Sequence, residues 1–193
     1  MEGPRFRRDK RKDSHYQGAL NIGRGIELMI EAMRFLPEYR LVIVGFGTIE
    51  GPLRKLTAAR PFAHQIEFLG FLLPEFLRKE TVKAMLGMSL EADQGASYHF
   101  ALPNKLFDYI QAGIPVLVSD LPEMARIISE FNVGEVLYAS ERTPEQLANR
   151  IRSICENVDK YFAYSANCQK AANSLNWENE KKQLAAVFAE LGK

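Results

Sequence analysis

Leu102-Pro-Asn-Lys-Leu-Phe-Asp-Tyr-Ile-Gln-Ala-Gly-Ile-Pro-Val-Leu-Val-Ser-Asp120 reads as a short helix that runs directly into a buried strand. Pro103 suits a first helical turn, where its missing N–H removes no bond, and Gly113 suits the position just past the helix end. The apolar run from Ile114 to Val118 is then the strand. Asn104, Lys105 and Asp108 fall near the helix N-terminus. There Lys105 sets a positive charge beside amides that lack helical partners, which suits a phosphate, and Asp108, about one turn on, can accept from sugar hydroxyls. The same residues also fit the solvated face of an amphipathic helix, and local chemistry leaves both readings open.

Tyr16 to Leu20, Leu41 to Val44, Ile66 to Leu69, Met85 to Leu90, Pro115 to Val118 and Gly134 to Leu137 are short apolar segments separated by helical patterns. That alternation predicts a parallel sheet. Gly25 to Leu36 carries Ile26, Met29, Ile30 and Met33 at helical spacing, a core face closed by Pro37. Ser119-Asp-Leu-Pro-Glu123 offers an N-cap and a capping-box glutamate for the next helix. The last third is helical, with starts at Thr143 and near Asn176. Its final helix bears Leu184, Val187, Phe188 and Leu191, and Trp177 reads as a core tryptophan.

The 193 residues, 47% of them hydrophobic, suffice for one core without disulfides or metals. No apolar run approaches the ~20 residues of a membrane span, and no signal-peptide core is visible, so a cytoplasmic domain is expected. Cys155 and Cys168 stand apart from any other Cys or His ligand pattern and read as reduced structural thiols. No metal-ligand cluster or cofactor is implied. Arg5, Arg7, Arg8, Lys10, Arg11 and Lys12 leave 19 basic against 21 acidic residues elsewhere. This basic head is read as a linker over residues 1–15, with anionic lipid at the inner membrane face as its other partner; nucleic acid is not expected.

Ligands of open parallel sheets bind outside the carboxyl ends of the strands, and three loops qualify here. In Asn21-Ile-Gly-Arg-Gly25, Arg24 offers a planar, permanently charged group to a diphosphate. Gly45-Phe-Gly47 leaves room for backbone approach, but Glu50 stands where a dinucleotide fingerprint wants a third glycine. Asp93 to Ala101 feeds the opening helix, with backbone amides near Ser97 to Ala101 and His99 as a candidate contact.

These motifs, in this order, resemble the C-terminal, donor-binding half of the GT-B glycosyltransferases of group 1, also called family 4. The resemblance rests on Tyr16 to Glu27, Leu41 to Gly47, Phe68 to Phe71 and the Pro-x-Lys, acid, Ala-Gly-x-Pro-Val pattern of the opening stretch. It implies an α/β, Rossmann-like three-layer domain over 16–193, with about six parallel strands and extra C-terminal helices. The partners it implies are a nucleoside-diphosphate sugar donor and an absent N-terminal domain of the same enzyme that binds the acceptor. Arg24 matches a donor-phosphate contact of that family and Asp108 matches its ribose-binding acid, while base recognition runs through backbone near Gly70 and Phe71. Ala19 replaces a frequent arginine, and Phe100 occupies the place of the first of two paired acids, so no catalytic residue is named. A nucleotide-sugar epimerase of the same architecture and a non-catalytic docking domain are the alternatives. Loss of Arg24 or Lys105 is expected to weaken diphosphate binding by ~1.5–3 kcal/mol while barely moving the melting temperature.

Overall fold

The computed structural model describes residues 12–191. Strands β1 (Lys12–Gln17), β2 (Tyr39–Val44), β3 (Ile66–Gly70), β4 (Leu86–Ser89), β5 (Val116–Ser119) and β6 (Gly134–Leu137) form one parallel sheet in the order β3-β2-β1-β4-β5-β6. The helices are α1 (Ile26–Ala32), α2 (Glu50–Ala58), α3 (Pro74–Thr81), α4 (Ala96–His99), α5 (Asn104–Gln111), α6 (Pro122–Phe131), α7 (Pro144–Cys155), α8 (Val158–Ala172) and α9 (Trp177–Leu191). Successive side chains of β5 enter different cores. Leu117 packs with Ile26, Met29 and Ile30 of α1, Leu53 of α2 and Ile151 of α7. Val116 and Val118 pack with Leu106 and Ile110 of α5, Met124 of α6 and Cys168 of α8. A strand whose side chains alternate between two faces therefore has helices on both, which makes three layers.

The strand order reverses between β1 and β4, because the chain leaves the sheet edge at β3 and returns on the far side of β1. At such a switch point the loops after the two strands diverge and open a crevice at their carboxyl ends. Here those loops begin at Gly18 after β1 and at Leu90 and Glu91 after β4.

Several local expectations are corrected. The first strand starts at Lys12, four residues before Tyr16, so residues 12–15 belong to the domain and not to a linker; Arg5 to Arg11 lie outside the described residues. The segment is polar in sequence, which hid it. All six of its residues nonetheless pair with β2, Asp13 accepts from Nε and Nη2 of Arg40 through its two carboxylate oxygens, and Lys12 pairs with Glu156 at 2.8 Å. Pro103 is the N-cap of α5, one residue outside the first turn. Pro122 takes the first position of α6, which moves the cap to Leu121, so no capping box forms there. Asp120 instead accepts from the Ala139 N–H at 2.7 Å, and Glu123 pairs with Arg126. Thr143 does cap α7, accepting from the Gln146 N–H.

Trp177 is 65% exposed and is no core tryptophan; Leu184 and Phe188 on the same helix are exposed as well, and the side chains of Val187 and Leu191 lie outside those described. Both cysteines are free and buried, and burial pushes each thiol up to about 12, which makes them inert at neutral pH. Among the described residues no helix is long and apolar enough to cross a membrane.

Candidate functional site

Two cations singled out in the sequence meet at one oxygen. Lys105, at the start of α5, places Nζ 2.5 Å from Oε1 of Glu91, and the guanidinium of Arg24 lies 3.5 Å from the same atom. Glu91 is fully buried and Lys105 nearly so. Ser89 donates to the second carboxylate oxygen at 2.8 Å, and the Lys105 ammonium also rests 4.5 Å from the centre of the Tyr16 ring. Burial pushes the Glu91 carboxyl up, but the charge and hydrogen bond of Lys105, with that of Ser89, hold it below the usual carboxylate range. Burial pulls the Lys105 ammonium down, and Glu91 opposes that shift.

The backbone under this cluster is clamped. Arg142 donates to the Leu90 and Glu91 carbonyls and to Ser119, whose own hydroxyl donates to the Glu91 carbonyl at 2.6 Å. Arg24 is half-buried, stacks against Tyr98 at 5.6 Å, and keeps a buried Nε without a hydrogen-bond partner. Glu91 was missed in sequence. The available signal was an acid placed directly after the apolar run Met85 to Leu90, at a carboxyl end of the sheet.

Beside this cluster lies a pocket of about 470 Å³ lined by Gln17, Gly18, Asn21, Gly45, Phe46, Thr48, Phe71 and Leu77, among others. Phe46 and Phe71 meet edge to face at 5.8 Å and both are largely exposed. Its wall is laced together after the strands end. The amides of Gly18, Leu20 and Gly45 donate to the carbonyls of Val44, Phe46 and Gly70, and Thr48 donates twice to the Asn21 side chain. Gly45 has φ 134°, and a Cβ there would overlap the Gly18 carbonyl. This glycine serves the packing of two loops on each other, a need that its sequence context did not separate from ligand approach.

Asp108 is joined to the pocket wall through Gln17. Its Oδ2 accepts from Gln17 Nε2 at 2.7 Å, and Gln17 Oε1 lies 2.8 Å from the Thr81 hydroxyl, which also reaches the Leu77 carbonyl at 2.8 Å. Asp108 Oδ1 has no hydrogen-bond partner among the described residues. Partial desolvation raises the Asp108 carboxyl above its ordinary value, against the pull of Gln17. The residue is the fifth of α5 and lies outside its first turn, so it does not cap the helix.

His99 is held elsewhere, its Nδ1 2.7 Å from Asp93 in the loop after β4, and Asn104 is exposed. The amides of Tyr98, His99 and Ala101 donate to the Gly95 and Tyr98 carbonyls, so these amides of the loop are already spent within it. Phe100 is 65% exposed beside His99.

Fold and site together define a Rossmann-like α/β domain with paired cations at its switch point. A model of the family described as glycosyl transferases group 1 matches residues 4–173, and the chain belongs to that family. No curated protein is significantly similar in sequence. Among solved structures, sucrose-phosphate synthase from Thermosynechococcus elongatus superposes with a TM-score of 0.78 at 19% identity, over 94% of this chain and 45% of its own. HepE of Anabaena, in complex with UDP and glucose, gives 0.76 at 16%, over 92% and 48%. The C-terminal domain of LpcC, a group 1 family protein of Francisella tularensis, gives 0.69 at 15%, over 85% of each chain. At such identities the likeness is one of fold. The chain spans about half the length of the first two of these structures.

Proposed function

We propose that this chain is the donor-binding domain of a glycosyltransferase, and that Arg24 and Lys105 hold the diphosphate of a nucleoside-diphosphate sugar. The observation that carries the reading is the convergence of two cations, one from the loop before α1 and one from α5, at the switch point, next to a pocket with an aromatic wall. Membership of the family supports it, as does the UDP bound to HepE. Lys105 and Arg24 supply charge-assisted hydrogen bonds to phosphate oxygens, and as the glycosyl bond breaks they stabilise the charge gathering on the departing diphosphate. The base fits the pocket between Phe46, Phe71 and Leu77, and Asp108 accepts from the ribose hydroxyls through its open Oδ1. A facing domain of the same enzyme positions the acceptor and excludes water. Gly45 and Gly47 shape the wall; Asn104 is assigned to the rim of the sugar subsite, and His99, paired with Asp93, to the loop beside it.

The test is selective. Asp108→Asn is expected to weaken binding of the matching nucleoside diphosphate by about 1.5–3 kcal/mol, the range for a lost hydrogen bond to a charged group, and to leave inorganic pyrophosphate binding unchanged. Calorimetry with both ligands decides. Equal losses for the two remove Asp108 from the ribose site, and no nucleotide binding by the parent protein removes the reading altogether.

A further inference from the structure

We infer that Glu91 sets the charge of the diphosphate subsite and thereby favours the sugar donor over the free nucleoside diphosphate. The inference rests on the donor-site reading above. A phosphate site is ordinarily cationic, yet here a fully buried carboxylate is built between the two cations and shares one oxygen with both. It is fixed there by Ser89 and by the backbone clamp of Arg142 and Ser119, so it does not swing out to make way for a ligand.

A nucleoside diphosphate carries about −3 at pH 7 and its sugar ester about −2, because the terminal phosphate that loses a second proton near pH 6 is esterified in the donor. A fixed negative charge behind Lys105 and Arg24 repels each ligand in proportion to its charge, and so repels the product more. Without Glu91 the two cations would retain the departing diphosphate. With it, the subsite keeps two directional donors but only one net positive charge, which suits a protein that must bind the donor and release the product.

The experiment titrates this chain and Glu91→Gln with matched pairs, UDP and UDP-glucose, GDP and GDP-mannose, and ADP and ADP-glucose. In the pair that binds, Glu91→Gln is expected to raise the preference for the diphosphate over its sugar on the order of tenfold, the effect of one unit charge several ångströms away in a partly solvated site. Glu91→Asp keeps the charge and is expected to keep the parent's ratio, whatever its absolute affinities. A ratio unchanged in Glu91→Gln, with both affinities falling together, would show that Glu91 only positions Lys105 and overturns the inference while leaving the donor site standing. Should Glu91→Gln not fold, the parent protein decides alone: a diphosphate bound more than about tenfold tighter than its sugar ester shows that the charge is not attenuated. A parent that binds none of the pairs overturns the donor-site reading and this inference with it.

Discussion

Lys105→Ala is expected to destabilise the fold by about 3 kcal/mol, at the lower end of the range for breaking a buried ion pair by removing one partner. The lower end applies because Arg24 remains 3.5 Å from Glu91 and keeps part of the compensation. This replaces the view of Lys105 as a lysine whose loss would cost affinity alone. The pH dependence gives the stronger signature. In the parent protein Glu91 is held below its ordinary value, so its contribution is fully present above the unfolded pKa and is lost as pH falls through the folded one. Without Lys105 the desolvated carboxyl moves the other way, and the folded state takes up a proton more readily than the unfolded chain. Stability of the variant then rises as pH is lowered from 8 toward 5, opposite in sign to the parent's response to acid. Denaturant unfolding at three pH values measures both. A variant whose stability falls with acid as the parent's does would mean that Glu91 finds another partner. Pairing Lys105→Met with Glu91→Gln removes both charges and is expected to recover most of the loss, since neither partner is left charged and unpaired.

Why the sequence showed the lysine and not its partner has a physical answer. Lys105 and Asp108 sit in a stretch whose helix signals, strand run and polar residues lie within 20 positions, so their juxtaposition is local and legible. Gly113, Thr143 and the core face of α1 are likewise set by helical spacing and capping chemistry. Glu91 has one local partner, Ser89, and that contact alone does not announce a site. Its role depends on β4 lying beside β1, which brings Tyr16 and Arg24 within reach, and that neighbour relation is a property of strand order. The same holds for the Thr81–Gln17–Asp108 chain, whose members are 64 and 91 positions apart. The early start of β1 was hidden for a related reason. Its polar residues are satisfied by Arg40, Glu156 and the sheet itself, so a central strand reads as a charged tail.

Gly87→Ala tests how firmly the site depends on the sheet beneath it. Gly87 is central in β4, paired with Pro115 and Val116 of the neighbouring segment, and a Cβ there would lie inside 3.0 Å of three ring atoms of Tyr109. That ring is fully buried, and its hydroxyl accepts from the Gln17 N–H at 3.1 Å, so it has little freedom to retreat. The clash is with a rigid ring and not with the end of a flexible chain, which places the cost at about 3 kcal/mol, the upper part of the usual range for overpacking. Tyr109 follows Asp108 and stands one turn after Lys105 on α5, so the strain is relieved by moving the helix that carries both. Pyrophosphate affinity is therefore expected to fall along with the melting temperature, although Gly87 touches no ligand. Combining Gly87→Ala with Tyr109→Leu separates the causes. If the ring is the obstacle, the two destabilisations are less than additive by about 1 kcal/mol or more, a coupling in the range for residues in contact. Strict additivity would place the strain in the β4 backbone, and an unchanged melting temperature in Gly87→Ala would mean that α5 is seated on the sheet more loosely than the close approach of Tyr109 to Gly87 requires.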